Sequence, residues 1–380
     1  MGKPKVIFIS AADVSGDRHA AGLIGALRRQ LDNVRFIGIG GEWMERAGCE
    51  LLDKPVERAS MTTGVFEHLG YFWKLIRRAK RAIKQIRPDV HIPVDSPAIN
   101  WHLARTAKRS GIPVVYYIAP QTWAWAPWRV RKLRKYTDAV ACILPFEQDY
   151  FRSRAVNATY VGHPLFDELP TAKPPDLASA YQTGQWEIVL LPGSRESEIK
   201  NHAPGLVRVM ELLSEKYPSA NFTITAIDEA SADIIRQSAG RGDLPISTED
   251  INSILSRSHF AIVASGTVTL QVAHFGLPMV IFYRVWKWGY RLIGRWLIRT
   301  KYLSLVNILA GEQLVPELMP WYGNADQIAC HADAMLKNLD HLQTVQKKLQ
   351  DLVKPLHAPA GTTAAENAAR LVIEVMQKGA

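Results

Sequence analysis

Short apolar runs alternate with amphipathic stretches along most of this chain, and that alternation constrains its fold more than any other feature. Residues 6–9, 34–38, 90–94, 114–118 and 139–144 are nearly continuous in apolar character, as strands buried on both faces of a parallel sheet must be. Between them, residues 19–31 and 72–86 read as helices. In the second of these Phe72, Ile76, Ala79, Ile83 and Ile86 recur at spacings of four and three and form one apolar stripe. Pro170, Pro174 and Pro175 then fall within six residues and mark a linker. A second series follows, with strand candidates at 187–191, 221–227, 260–264 and 278–283. The pattern predicts an α/β protein of two Rossmann-like domains with parallel sheets.

Two turns of the second series carry the clearest chemistry. Leu191-Pro192-Gly193-Ser194-Arg195 and Ala264-Ser265-Gly266-Thr267 each end a strand candidate and precede a helical stretch, so each is expected to present free backbone N–H groups at a helix N-terminus. Two such turns at one sheet edge suit a diphosphate. Arg195 adds a planar fork of permanent positive charge.

Composition bounds the rest. The chain has 380 residues, 47% hydrophobic and 22% charged, enough for two ordinary globular domains without covalent staples. Its three cysteines, Cys49, Cys142 and Cys330, are far apart and lack CxxC spacing, which argues against a disulfide framework or a structural zinc site and fits a reducing cytoplasm. The N-terminal apolar run is too short for a signal peptide, and no run of about 20 apolar residues predicts a transmembrane helix. A formal net charge of +10 favours an anionic partner, with nucleic acid, acidic lipid and nucleotide sugar all open on charge alone.

Ligands of open parallel sheets bind outside the carboxyl ends of the strands, so two facing domains would enclose a cleft fed by both sets of loops. The first such loop, residues 11–17, holds Asp13, Ser15, Gly16 and Asp17, either as a ligand loop or as a helix cap. Gly38-Ile39-Gly40-Gly41 lacks the last glycine of a dinucleotide fingerprint and reads as a tight turn. Asp95, at the end of the third candidate strand, is placed either to take a proton from an attacking hydroxyl or to form an Asx turn before Pro97. Trp123, Trp125 and Trp128 lie between prolines, suited to stacking on a sugar, to a lipid interface or to plugging a loop.

Two stretches are basic with an apolar side. Residues 74–87 hold seven Lys or Arg and no acid, so that helix must present a dense positive face. Farther on, Arg291, Arg295 and Arg299 recur every four residues opposite Leu292, Ile293, Trp296 and Leu297, with Trp286 and Trp288 upstream. A helix in a membrane interface has this composition, and so does one packed on a core. No nucleic-acid module accompanies it, so no nucleic-acid partner is expected.

Taken in order, several segments resemble the bacterial lipid-A-disaccharide synthases. They are Ser15-Gly16-Asp17, Gly64 to Leu69, Pro120 to Trp125, Leu144 to Glu147, Gly162-His163-Pro164, Leu191 to Arg195, Ser265-Gly266-Thr267 and Ser304 to Gly311. The resemblance runs from Val6 to about Glu317. It implies a GT-B glycosyltransferase: an acceptor domain over residues 1–170, with a helix at about 350–380 returning to it, and a UDP-sugar donor domain over 176–349. The implied reaction joins UDP-2,3-diacylglucosamine to 2,3-diacylglucosamine 1-phosphate, inverts the donor carbon and releases UDP. Neither a cofactor nor a metal is expected. The setting implied is the cytoplasmic face of the inner membrane, on an anionic surface, with a homodimer compatible.

The same resemblance assigns residues. Asp95 is the base for the acceptor 6-hydroxyl and Arg195 the second catalytic group. Ser194, Arg195, Ser265, Gly266, Thr267, Gln271 and Asn307 face UDP, and Asp13, Ser15, Gly16 and Glu67 face the acceptor. Trp286, Trp288, Arg291, Arg295, Trp296 and Arg299 would meet lipid. Gln271 stands where a glutamate commonly accepts from ribose hydroxyls, and it keeps one acceptor oxygen without the charge. Ala98-Ile99 replace an acidic residue and an aromatic, and Asp13 replaces a glutamate. A UDP-sugar epimerase of the same architecture and a noncatalytic lipid-binding homologue are the alternatives.

Overall fold

The computed structural model describes residues 4–55, 65–284, 300–359 and 361–378, apart from the side chains of residues 65–69. The chain divides into two compact units, Met1–Glu168 with Leu356–Ala380, and Leu169–Pro355. Among the described residues no helix is long and apolar enough to cross a membrane.

In the first unit the strands are β1 (Lys5–Ser10), β2 (Val34–Ile39), β3 (Glu50–Asp53), β4 (Val90–Pro93), β5 (Val115–Tyr117), β6 (Ala139–Cys142) and β7 (Ala158–Tyr160). They form two parallel groups, β3-β2-β1-β4 and β5-β6-β7. Parallel bridges from His91 to Val114 and from Val94 to Tyr117 join the groups along one edge. The order reverses direction at β1 and β4, and in such sheets ligands gather at that switch. Ile7, Phe8 and Ile9 of β1 are completely buried, because helices cover both faces.

One face packs on the helix Val14–Gln30 and the C-terminal helix Ala364–Lys378. Leu23, Ile24 and Leu27 of the first meet Ala368, Val372 and Met376 of the second in one apolar cluster. Asp167 anchors the returning helix by accepting from the N–H groups of Ala364 and Ala365 at 2.9 and 3.2 Å. The other face packs on the helices Val65–Ile86 and Pro97–Arg109 through Ile76, Ala79, Ile83, Leu103 and Ala107. The apolar stripe read from the sequence therefore faces the sheet, while Lys74, Arg77, Arg78, Arg81 and Lys84 are exposed on the opposite side.

The second unit has β8 (Glu187–Leu191), β9 (Asn221–Thr225), β10 (Ile246–Ser247), β11 (Phe260–Ala264), β12 (Met279–Arg284) and β13 (Glu317–Trp321). They form one parallel sheet in the order β10-β9-β8-β11-β12-β13. Because β8 pairs directly with β11, the two glycine-containing turns leave neighbouring strands at the same edge. Strands β3, β7, β10 and β13 do not appear among the sequence expectations.

Candidate active site

At the end of β4 the chain takes two consecutive left-handed steps, with φ of +44° at both Asp95 and Ser96. Neither residue is glycine, so this turn is strained and persists only because its surroundings fix it. Asp95 N–H donates to the Tyr117 carbonyl at 3.1 Å. Its carbonyl receives the Tyr116 hydroxyl at 2.7 Å and Asn100 Nδ2 at 2.8 Å. Ser96 Oγ accepts from Ala12 N–H at 3.1 Å and donates to Asp13 Oδ2. The two loops after β1 and β4 are thereby stitched together.

Beneath them lies a buried polar chain. Ser10 Oγ donates to Asn100 Oδ1 at 2.6 Å and so accepts from His91 Nε2 at 2.9 Å. His91 must then carry its proton on Nε2, and burial pushes its pKa down to about 3. Asn100 completes the arrangement by donating to the carbonyls of Ser10 and Val94 as well as Asp95.

The two carboxylates of this corner differ. Asp13 accepts from Gly16 N–H at 2.7 Å, from the Ser15 hydroxyl at 2.8 Å and from Ser96 Oγ, so it caps the helix Val14–Gln30 and braces the next loop. Gly16 sits against Asp13, where an added Cβ would come within 3.1 Å of Oδ1. Asp95 is half-buried, and burial together with the Asp13 charge pushes its pKa up to about 6, against the pull of the Ser96 N–H. A carboxylate raised towards neutrality suits proton abstraction. Asp17, by contrast, is buried and accepts from the N–H groups of Gly41, Trp43 and Met44. It caps the helix Glu42–Arg46 and explains the Gly40-Gly41 turn without a ligand.

In the tryptophan loop, Trp123 Nε1 donates to Glu147 Oε1 at 2.9 Å, and its ring meets Phe146 edge-on at 4.9 Å. Glu147 is fully buried and also accepts from Leu144 N–H at 3.1 Å, while burial raises its pKa to about 7. Trp123 is therefore a loop anchor. Trp125 lies under the Arg129 guanidinium at 4.2 Å, and Trp128 is exposed.

The second unit corrects one sequence expectation. The N–H groups of Ser194 and Arg195 are not free: both donate to Glu198 Oε2, at 3.2 and 3.3 Å. Glu198 lies three residues into its helix, as in a capping box, and also takes Arg195 Nη1 on Oε1 at 3.0 Å. Gly193 is required there, since its φ is +109° and a Cβ would lie 2.7 Å from Glu198. His202, buried behind the turn, donates from Nδ1 to the Pro192 carbonyl at 2.6 Å and accepts Arg284 N–H on Nε2 at 3.2 Å, tying the ends of β8 and β12 together.

The neighbouring turn is open. Ser265 N–H donates to Phe282 at 2.8 Å, and Gly266 and Thr267 are exposed. Gln271, one turn into the following helix, donates from Nε2 to Asn252 Oδ1 at 2.8 Å and keeps its amide oxygen as an acceptor. Asn307 is engaged within its own segment. It is completely buried, donates to the Val315 carbonyl and Glu317 Oε2, both at 2.9 Å, and accepts Val315 N–H at 3.0 Å. Its amide holds the 304–317 segment together through these bonds. Glu317 gathers the N–H groups of Leu303 and Ser304 at the same point.

Two sets of expected residues lie outside the described residues: the Glu67 side chain, and Trp286, Trp288, Arg291, Arg295, Trp296 and Arg299. Ser96, Asn100, His91 and Glu198 take part in these bonds without being singled out by sequence pattern. Only Glu198 had a local signal, its capping-box spacing. The others are joined by the sheet, across 81 to 90 residues.

A family model for lipid-A-disaccharide synthetase matches residues 7–372. The chain belongs to this family. The lipid-A-disaccharide synthase of Syntrophus aciditrophicus is 33% identical over 382 residues, covering 98% of both chains. That of Geobacter sulfurreducens is 34% identical over 378 residues, covering 98% of this chain and 97% of its own. Among solved structures, a putative UDP-N-acetylglucosamine 2-epimerase from Listeria monocytogenes aligns with a TM-score of 0.61 at 12% identity, covering 99% and 97% of the two chains. MurG of Acinetobacter baumannii aligns at 0.55 and 15% identity over 99% and 100%. At these identities the likeness is one of fold, and the GT-B architecture expected for the family is the one found.

Proposed function

We propose that this chain is an inverting glycosyltransferase of lipid A biosynthesis, joining UDP-2,3-diacylglucosamine to 2,3-diacylglucosamine 1-phosphate to give the β(1→6) disaccharide 1-phosphate and UDP. Family membership supports the reaction, and one observation carries the mechanism: Asp95, poised near neutrality on a strained, braced turn at the switch point of its sheet. The acceptor 6-hydroxyl attacks the donor anomeric carbon. As the new carbon–oxygen bond forms, the bond to the diphosphate breaks, its electron pair leaves with UDP, and the hydroxyl proton passes to Asp95. Arg195, Ser194 and the Ser265-Gly266-Thr267 turn offset the charge gathering on the leaving diphosphate. Gln271 accepts from the ribose, and Asn307 contributes by holding its segment in place.

In this reading residues 1–170, with the helix at about 350–380, bind the acceptor, and residues 176–349 bind the donor. Ser15, Gly16 and Glu67 belong to the acceptor side, where Asp13 acts chiefly by bracing Ser96 and raising Asp95. The exposed basic face of the helix Val65–Ile86 supports peripheral attachment to the anionic cytoplasmic face of the inner membrane. The epimerase alternative shares the fold alone. Purified protein should release UDP from the acylated donor only when the acylated acceptor is present. Asp95→Ala should abolish this release while leaving UDP binding intact, and normal turnover by that variant would remove Asp95 from the mechanism.

A further inference from the structure

The first unit contains a cavity of about 370 Å³ that no step above uses, within the roughly 300–1,000 Å³ range of ligand pockets. Its wall is formed by Phe72, Trp73 and Ile76 of the helix Val65–Ile86 and by Ala98, Ile99 and His102 of the helix Pro97–Arg109. Ser96 and Ala12, from the two stitched loops, complete the lining. The cavity thus reaches the residue beside Asp95 and lies between two helices. Its lining is almost wholly hydrocarbon.

We propose that this cavity receives one acyl chain of the acceptor, and that Ala98 and Trp73 set the length and bulk of chain it accepts. The inference rests on the glycosyltransferase reading and adds to it the part of the molecule that selects the lipid. A chain seated there leaves its sugar at Ser96, next to the carboxylate that must reach the 6-hydroxyl. Three further observations favour this occupant. Ala98 is exposed at the first turn of its helix, and any larger side chain there would narrow the space. Trp73 is 58% exposed, and its ring stands 6.5 Å from that of His102 across the groove, where its size limits the bulk that can enter.

The third concerns charge. Burial and the nearby Lys80, Lys132 and Arg105 lower the pKa of His102, so the lining itself is uncharged at neutral pH. Lys80 is in turn lowered by burial, Arg105 and Lys84. A neutral, apolar lining suits a hydrocarbon chain.

The test uses the full chain, a fixed acylated UDP-glucosamine donor, and acceptors carrying long or short acyl chains. Ala98→Phe should lower the long-to-short ratio of kcat/KM by at least about tenfold, mainly through KM. Trp73→Ala should move the ratio the other way. Far-UV circular dichroism and UDP affinity report whether each variant is folded. Unchanged ratios in folded, active variants would overturn the chain-selecting role while leaving the glycosyltransferase reading standing. If Ala98→Phe instead weakens binding to anionic phospholipid vesicles and leaves the ratio unmoved, the cavity holds bilayer lipid and the proposal is wrong. Failure of the unmodified protein to release UDP with any acylated acceptor would remove the parent reading, and this inference with it.

Discussion

Glu198 grips Arg195 at both ends, receiving its backbone N–H on Oε2 at 3.3 Å and its guanidinium Nη1 on Oε1 at 3.0 Å. The carboxylate thereby occupies the anion position that the turn after β8 offers. An incoming diphosphate must share or displace it. Neutralising that charge should release the arginine fork, so Glu198→Gln should bind UDP a few-fold more tightly by calorimetry, with the gain shrinking as salt rises. Glu198→Ala should instead lose about 1 kcal/mol of unfolding free energy through the missing cap. Weaker UDP binding by Glu198→Gln would show that the charge positions Arg195 for the phosphate.

Asp95 gives a pH prediction whose sign follows from its environment. The base must be ionised to accept a proton, so kcat/KM should rise with pH, with a bend near pH 6 set by burial and by Asp13. Replacing the neighbouring charge with Asp13→Asn, which retains capping ability, should move the bend to lower pH. A bend that stays in place in Asp13→Asn would assign it to another group.

The same residue links catalysis to stability. Its folded pKa lies above the ordinary aspartate value of 3.8, so the folded state binds the extra proton, and stability from this group falls as pH rises between about 4 and about 6. Asp95→Asn should therefore unfold at higher denaturant than the parent at pH 7, by on the order of 1–3 kcal/mol, and the difference should fade near pH 4. Equal stability of the two proteins at pH 7 would show that the corner solvates this carboxylate.

The interior of both sheets was legible because burial on two faces leaves continuous apolar runs, as in residues 6–9 and 260–264. The four strands that escaped the sequence reading, β3, β7, β10 and β13, are the outer strands of their units. An outer strand is partly solvated, so Glu50 and Asp53 stand at the ends of β3, and Pro320 is tolerated in β13. The site divides in the same way. Asp95 could be found from its place after a strand, but Ser96, Asn100 and His91 act through bonds to Asp13 and Ser10 across 81 to 90 residues, which no local spacing encodes. Asn307 shows the converse. The family resemblance singled it out for the nucleotide, while its hydrogen bonds serve the turn.

That role of Asn307 predicts a variant that fails through folding. Asn307→Ala leaves the Val315 N–H and carbonyl buried without partners and should cost about 1–3 kcal/mol in urea unfolding. Asn307→Asp should cost at least as much at neutral pH, since it sets a second carboxylate against Glu317 and cannot donate to Val315. A variant with parental stability and only weakened UDP binding would restore the direct contact.

Gln271 offers the opposite kind of change, one expected to improve binding. Its Nε2 is engaged with Asn252 Oδ1, so in Gln271→Glu the Asn252 amide must turn to donate to the new carboxylate, and Asn252 is only half-buried near the start of its helix. The remaining carboxylate oxygen would then meet the ribose hydroxyls as a charged acceptor, and such bonds are roughly twice as strong as neutral ones. UDP should bind several-fold more tightly, and the preference for UDP over its 2′,3′-dideoxy analogue should widen by a similar factor. If the affinity rises equally for both nucleotides, the gain does not come from the ribose and Gln271 lies elsewhere in the donor site.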